Sequence, residues 1–142
     1  LLVVRNQGYG GGQMSNELRI ILPWLHKDLS SNSRKHWSQT AKLVASNRAQ
    51  AKIMTLAELN GACIKTWQEA QAIEVIITFC PPDFRHRDKQ NMPANKTLKA
   101  YLDGIADALQ VDDNKFKPIF MFGDVVKGGE IQIIASQAGG GE

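Results

Sequence analysis

Two acidic segments hold the side chains whose types and spacing point most directly to chemistry. The first, Arg85-His86-Arg87-Asp88-Lys89-Gln90-Asn91, follows a run of apolar, β-branched residues; the second, Asp112-Asp113, follows an apolar-periodic stretch. Carboxylates gathered at one place supply hard oxygen ligands, the donors Mg²⁺ prefers while it keeps several waters. A cation held there lowers the pKa of an attacking water and neutralises charge on a phosphate. It also lets an acidic site approach a polyanion, and the basic residues around Asp88 are placed to hold neighbouring phosphates. The plainer alternative makes Asp88 a turn or cap residue, Asp112-Asp113 a solvated pair and Arg85-His86-Arg87 a solvated charge run. Spacing alone favours that alternative.

Two further groups have the same double character. Lys99 and Asp103 stand at i, i+4, with Asp107 one turn on. As an exposed helical ion pair they contribute a few tenths of a kcal/mol; alternatively Lys99 faces the edge that carries Asp88 and touches a scissile phosphate. The segment Leu29-Ser30-Ser31-Asn32-Ser33-Arg34-Lys35-His36-Trp37 mixes small polar, basic and aromatic residues. Asn32, Arg34, Lys35 and His36 suit phosphate binding, and Trp37 suits stacking on an exposed base. Equally, this is a helix entry in which Trp37 plugs the core.

These side chains need elements to position them. Residues 17–22 are short, apolar and β-rich and end at Pro23. Residues 25–37 lack periodicity and read as a loop. Residues 38–60 read as a helix capped by Ser38, with Leu43, Val44, Ala51, Met54, Leu56 and Ala57 as a loose apolar face, and Gly61 falls where a C-terminal cap belongs. Residues 72–80, AIEVIITFC, have the composition of a central strand, ended by Pro81-Pro82. A second helix is expected over 93–110, with Leu98, Leu102, Ile105, Ala106 and Leu109 as its buried stripe. Residues 111–116 form an acidic turn. Two last strands, 119–127 and 130–135, are expected to pair as a hairpin at Gly128-Gly129. The order β-α-β-α-β-β implies a single α+β (α/β) domain, with a mixed sheet of about four strands and two main helices.

The chain has 142 residues, enough for one domain with a real core. No run approaches a membrane span, and no charged leader precedes an apolar run and cleavage site. Met14 reads as the natural start, which leaves residues 1–13 as an extension or upstream read-through. The domain is then 14–136, and 137–142 is a glycine-rich tail expected to be flexible. The net charge of +3 barely favours an anionic partner. Cys63 and Cys80 form no CxxC pair or Cys/His cluster, so zinc is not indicated. Two solitary cysteines fit a reducing cytoplasm, with a single disulfide as the alternative.

Taken in order, these motifs resemble the RusA family of Holliday-junction resolvases, in particular its phage and prophage branch. Leu22-Pro23-Trp24, then Leu29-Ser30, Asn32, Arg34, His36 and Trp37, are similar to that branch's N-terminal signature. Residues 87–91 are similar to its Arg-Asp-x-Asp-Asn motif, and residues 99–113 to its Lys-x-x-x-Asp helix with a closing Asp-Asp. Lys127-Gly128-Gly129 before a last strand also fits. The resemblance covers about residues 18–134. It implies a homodimeric α/β endodeoxyribonuclease that binds four-way DNA junctions and cuts two strands symmetrically with Mg²⁺ or Mn²⁺. Asp88 and Asp113 would bind the metal, Lys99 would assist, and Asp112 is a neighbouring substitute. Asn32, Arg34, Lys35, His36, Arg85, Arg87, Lys89 and Asn91 would contact DNA. Neither a membrane nor a nucleotide cofactor is expected. The departure is Gln90, which stands where the family carries its second motif Asp. Its neutral carbonyl oxygen can touch Mg²⁺ but adds no charge and cannot act as a base. The implied alternative is a junction-binding protein with weakened or lost catalysis.

Overall fold

A computed structural model describes residues 17–29, 36–85, 87 and 92–138. Four strands form one sheet: β1 (Glu17–Pro23), β2 (Ala72–Cys80), β3 (Phe116–Phe122) and β4 (Glu130–Ala138). The helices are α1 (Trp37–Leu59), the short α2 (Lys65–Glu69) and α3 (Lys96–Leu109). The spatial order of the strands is β1-β4-β2-β3, with β4 antiparallel to both neighbours and β3 parallel to β2. This is the expected mixed four-stranded sheet with two main helices, an α+β fold. No helix among the described residues is long and apolar enough to cross a membrane.

Alternation along the strands decides which face is covered. Leu18, Ile20 and Leu22 of β1, Ile73, Val75, Ile77 and Phe79 of β2, and Ile131, Ile133 and Ala135 of β4 are all buried. They pack with Leu98, Tyr101, Ile105 and Leu109 of α3 and with Ala51 and Leu59 of α1. The apolar residues of α3 recur at helical spacing, so one face of that helix lies in the core. Tyr101 is buried there, and its hydroxyl donates to the Pro23 carbonyl at 2.8 Å, which satisfies its polar tip. Burial pushes its pKa up to about 12.

The helices approach closely because Gly104 has no side chain. A Cβ at that position would collide with the Arg48 carbonyl oxygen and come within 2.8 Å of Ala51 Cβ. Beside this contact Arg48 grips Asp107 with two charge-assisted hydrogen bonds of 2.6 and 2.8 Å.

Several local expectations need correction. The last two strands do not form a hairpin: β2 lies between them, since β4 inserts between β1 and β2. Gly128 and Gly129 still reverse the chain at φ 81° and 75°, but the turn leads across the end of β2. A glycine pair reports a reversal and not the identity of the strands that pair. β3 is Phe116–Phe122, beginning and ending earlier than expected. The cap of α1 is His36, not Ser38; its Nδ1 accepts from Ser38 N–H while Gln39 returns the bond to the His36 N–H. Asn60, left-handed at φ 48°, closes that helix before Gly61. Leu56 is exposed, and Thr40 and Thr55 take core positions on α1. The segment before α1 contains a single 3-10 turn (Lys27–Leu29) that buries Leu29, and Trp37 is 72% exposed, which removes its role as a core plug. Asn95 caps α3, which starts at Lys96 after a 3-10 turn at Met92–Ala94. Gln137 and Ala138 are not tail: they pair with Ile73 and Ala72. Cys63 and Cys80 are free thiols, so the disulfide alternative falls.

Candidate functional site

The site is built along α3. Lys99 and Asp103 lie one turn apart on its exposed side, and Lys99 Nζ donates to Asp103 Oδ1 at 2.9 Å. The same ammonium donates to Asp113 Oδ2 at 3.0 Å. The exit of α3 makes this contact available. Gln110 takes a left-handed conformation at φ 57°, and Val111 N–H bonds back to the Ala106 carbonyl. A one-turn 3-10 helix (Asp113–Lys115) capped by the Asp112 carboxylate then fixes Asp113.

Two carboxylates converging on one ammonium reinforce its charge. The bonds from Asp103 first, then Asp113, raise the Lys99 pKa, so Lys99 is a cation and hydrogen-bond donor, not a base. Conversely, the Lys99 ammonium holds the Asp113 carboxyl below the usual range, with the Asp103 and Asp112 carboxyls close enough to contribute. Arg48 holds Asp107 down in the same way, one turn further along.

Asp113 and the Asp83 segment leave the sheet at opposite ends of β2. Phe116, just after the Asp113 turn, registers with Ile73 near the start of that strand, while Asp83 follows its end at Cys80. The expected meeting of the two acidic segments at one sheet edge is therefore not what the sheet provides: they lie at opposite ends of β2. Asp88, Lys89, Gln90 and Asn91 lie outside the described residues, as do His86, Asn32, Arg34 and Lys35. Among the described residues no group of three or more His, Cys, Asp or Glu side chains is close enough to hold a metal. The oxygens that accept from Lys99 belong to carboxylates, the ligand type a hard cation prefers.

The turn after β2 is held from within. Asp83 Oδ1 accepts from Arg85 N–H at 3.0 Å, an Asx turn. Arg87 donates to the carbonyls of Asp83 and Arg85 at 3.1 and 3.0 Å and to Asp83 Oδ1 at 2.9 Å. Its guanidinium also lies over the Trp24 ring, 5.7 Å from the centroid. The Arg85 backbone, then the Arg87 side chain, lower the Asp83 pKa. Arg87, with a side chain only 15% exposed, is thus committed to its own loop and does not present a free fork to DNA. Arg85 is exposed. His36 spends Nδ1 on its cap, which leaves Nε2 as its outward nitrogen. The partnership of Trp24 with Arg87 joins residues far apart in sequence, and no local pattern announces it.

No protein-family model matches the chain. Over 97 residues it is 39% identical to a protein of Xylella fastidiosa described as uncharacterized; the match covers 68% of this chain and 61% of that protein. The chain therefore aligns with less than two thirds of that relative's length.

Proposed function

We propose that this protein is a structure-specific endodeoxyribonuclease of the RusA type, which hydrolyses phosphodiesters at four-way DNA junctions with Mg²⁺ or Mn²⁺. The observation that carries the reading is Lys99, shared between Asp103 and Asp113. A positive group held amid carboxylates is suited to stabilising the charge on a phosphate undergoing hydrolysis. It fits the Lys-x-x-x-Asp and Asp-Asp motifs on which the resemblance rests.

In this reading Asp113 and Asp88 hold the cation, with Asp103 and Asp112 as the nearest further carboxylates and Gln90 offering only a neutral oxygen. Bound there, a divalent cation supplies an activated water and neutralises phosphate charge. Lys99 donates to a phosphate oxygen and stabilises the charge that develops on it. Arg85, Lys89, Asn91 and the segment with Asn32, Arg34, Lys35 and His36 position the DNA backbone. Arg87 supports the loop that presents Asp88.

A homodimer completes the reading, because a two-fold pair of sites matches the two-fold symmetry of a four-way junction. Among the described residues β3 pairs with β2 alone, and it exposes Ile119, Phe120, Met121 and Phe122. An edge strand with four consecutive exposed apolar residues invites antiparallel pairing with a second copy of itself.

A panel of labelled DNA shapes tests the proposal: four-way junction, flap and linear duplex, each with Mg²⁺. Symmetric cuts confined to the junction are expected. Equal affinity for junction and duplex at matched salt contradicts it, and selective binding without cutting identifies the alternative, a junction-binding protein whose catalysis Gln90 has weakened.

A further inference from the structure

We infer that Phe84 is a stacking platform for an unpaired nucleobase, placed at the branch point of the bound junction; the inference rests on the junction reading above. Phe84 is 90% exposed, the most solvent-accessible large apolar side chain among the described residues. An exposed phenyl ring on a loose loop would carry little meaning, but this one stands on a braced turn. The Asx bond from Arg85 to Asp83 and the Arg87 bonds to both flanking carbonyls fix the backbone on either side of it. Arg87 is in turn packed on Trp24, which meets Phe79 of the core edge-on at 6.5 Å. The turn is thus tied through two aromatic contacts to the middle of the sheet. The aromatic ring projects from a rigid base, so little conformational entropy is lost when a flat partner settles on it.

The surroundings select the partner. Exposed Arg85 follows directly, and Arg87 lies beneath the same turn. A flat apolar face beside cations is the arrangement that binds single-stranded nucleic acid: cations hold the backbone and the ring takes the base. Duplex bases are already stacked on both sides, whereas a branch point offers bases whose stacking is interrupted. Phe84 therefore adds affinity for junctions and none for linear DNA, and it contributes selection of shape separately from the carboxylates that would cut.

The test uses the full chain with Ca²⁺ in place of Mg²⁺, and a four-way junction carrying 2-aminopurine at the branch point. Native protein is expected to lower the probe's fluorescence on binding. Phe84→Ala should abolish that drop and weaken junction binding roughly 5- to 100-fold, as loss of one stacked base would. Duplex affinity and melting temperature should be unchanged, because the side chain is 90% exposed. Phe84→Trp should restore both signals and Phe84→Leu should not, which separates stacking from general apolarity. If native protein prefers junctions and Phe84→Ala behaves identically, the platform is wrong and the junction reading stands. If native protein does not prefer junctions, both fall together.

Discussion

Lys99 Nζ sits 3.0 Å from Asp113 Oδ2, so a residue in the second turn of α3 is bonded to one beyond the end of the same helix. The pair, with Asp103 as third member, gives stability a definite pH dependence. The Asp113 pKa is lowered, so its contribution is present above the unfolded value near 3.9 and is lost as pH falls through the folded value. The Lys99 pKa is raised, so its contribution is present below about 10.4 and is lost as pH rises through the folded value. Thermal melting of native protein and Lys99→Met should differ by a small, constant amount across neutral pH. The difference should shrink toward zero at both acid and alkaline extremes. A difference that persists unchanged in strong acid would rule out Asp113 as the partner.

Gly104 is the closest point between α1 and α3. Gly104→Ala places a methyl group against the Arg48 carbonyl and Ala51. Forcing the helices apart should cost about 1–3 kcal/mol, although alanine favours helix by up to about 1 kcal/mol. Urea denaturation should show a lower midpoint with an unchanged slope. A raised midpoint would mean the helices separate easily.

Arg87 is expected to act on its loop and not on DNA directly. Arg87→Ala removes the bonds to Asp83 and Arg85 and the stack on Trp24. Limited chymotrypsin digestion should then cut after Phe84 several-fold faster than in native protein, with little change in global melting. Arg87→Lys should not restore protection, because an ammonium cannot reproduce the planar fork. Equal cutting rates would leave Arg87 available as a DNA contact.

The β3 edge gives a separate expectation. Met121→Lys puts a charge into the exposed apolar row, a common device against edge pairing. Native protein should sediment as a dimer at micromolar concentration and Met121→Lys as a monomer with the same circular dichroism. A monomeric native protein would remove the dimer from the account.

Much of this architecture was legible because local pattern and burial agree. The β-rich, apolar composition of residues 17–22 and 72–80 marked two strands, and the spacing of Leu98, Ile105 and Leu109 marked the buried face of α3. The Lys99–Asp103 pair was likewise visible as i, i+4. What was hidden depends on contacts between distant residues. Sheet order was missed because Gly128-Gly129 encodes a reversal without naming the strand that β4 will join. α1 was misread at Leu56 because its core side is built from Ala51, Thr55 and Leu59, a pattern too weakly apolar to mark a face. Arg87 read as a free cation because its partner, Trp24, lies on another segment. The joining of Asp113 to Lys99 required the chain to fold back at Gln110, a left-handed residue that is not glycine.

Cutting of DNA by Lys99 and the acidic segments is what we propose. It is tested most directly by cleavage of an end-labelled four-way junction with Mg²⁺ or Mn²⁺, comparing native protein with Asp88→Asn, Lys99→Ala and Gln90→Asp at equal bound fraction. Native protein should cut, Asp88→Asn and Lys99→Ala should be slower by about 100-fold or more, and Gln90→Asp should be faster than native. Cutting by Asp88→Asn and Lys99→Ala at the native rate, or no cutting by any of the four proteins, would contradict the account.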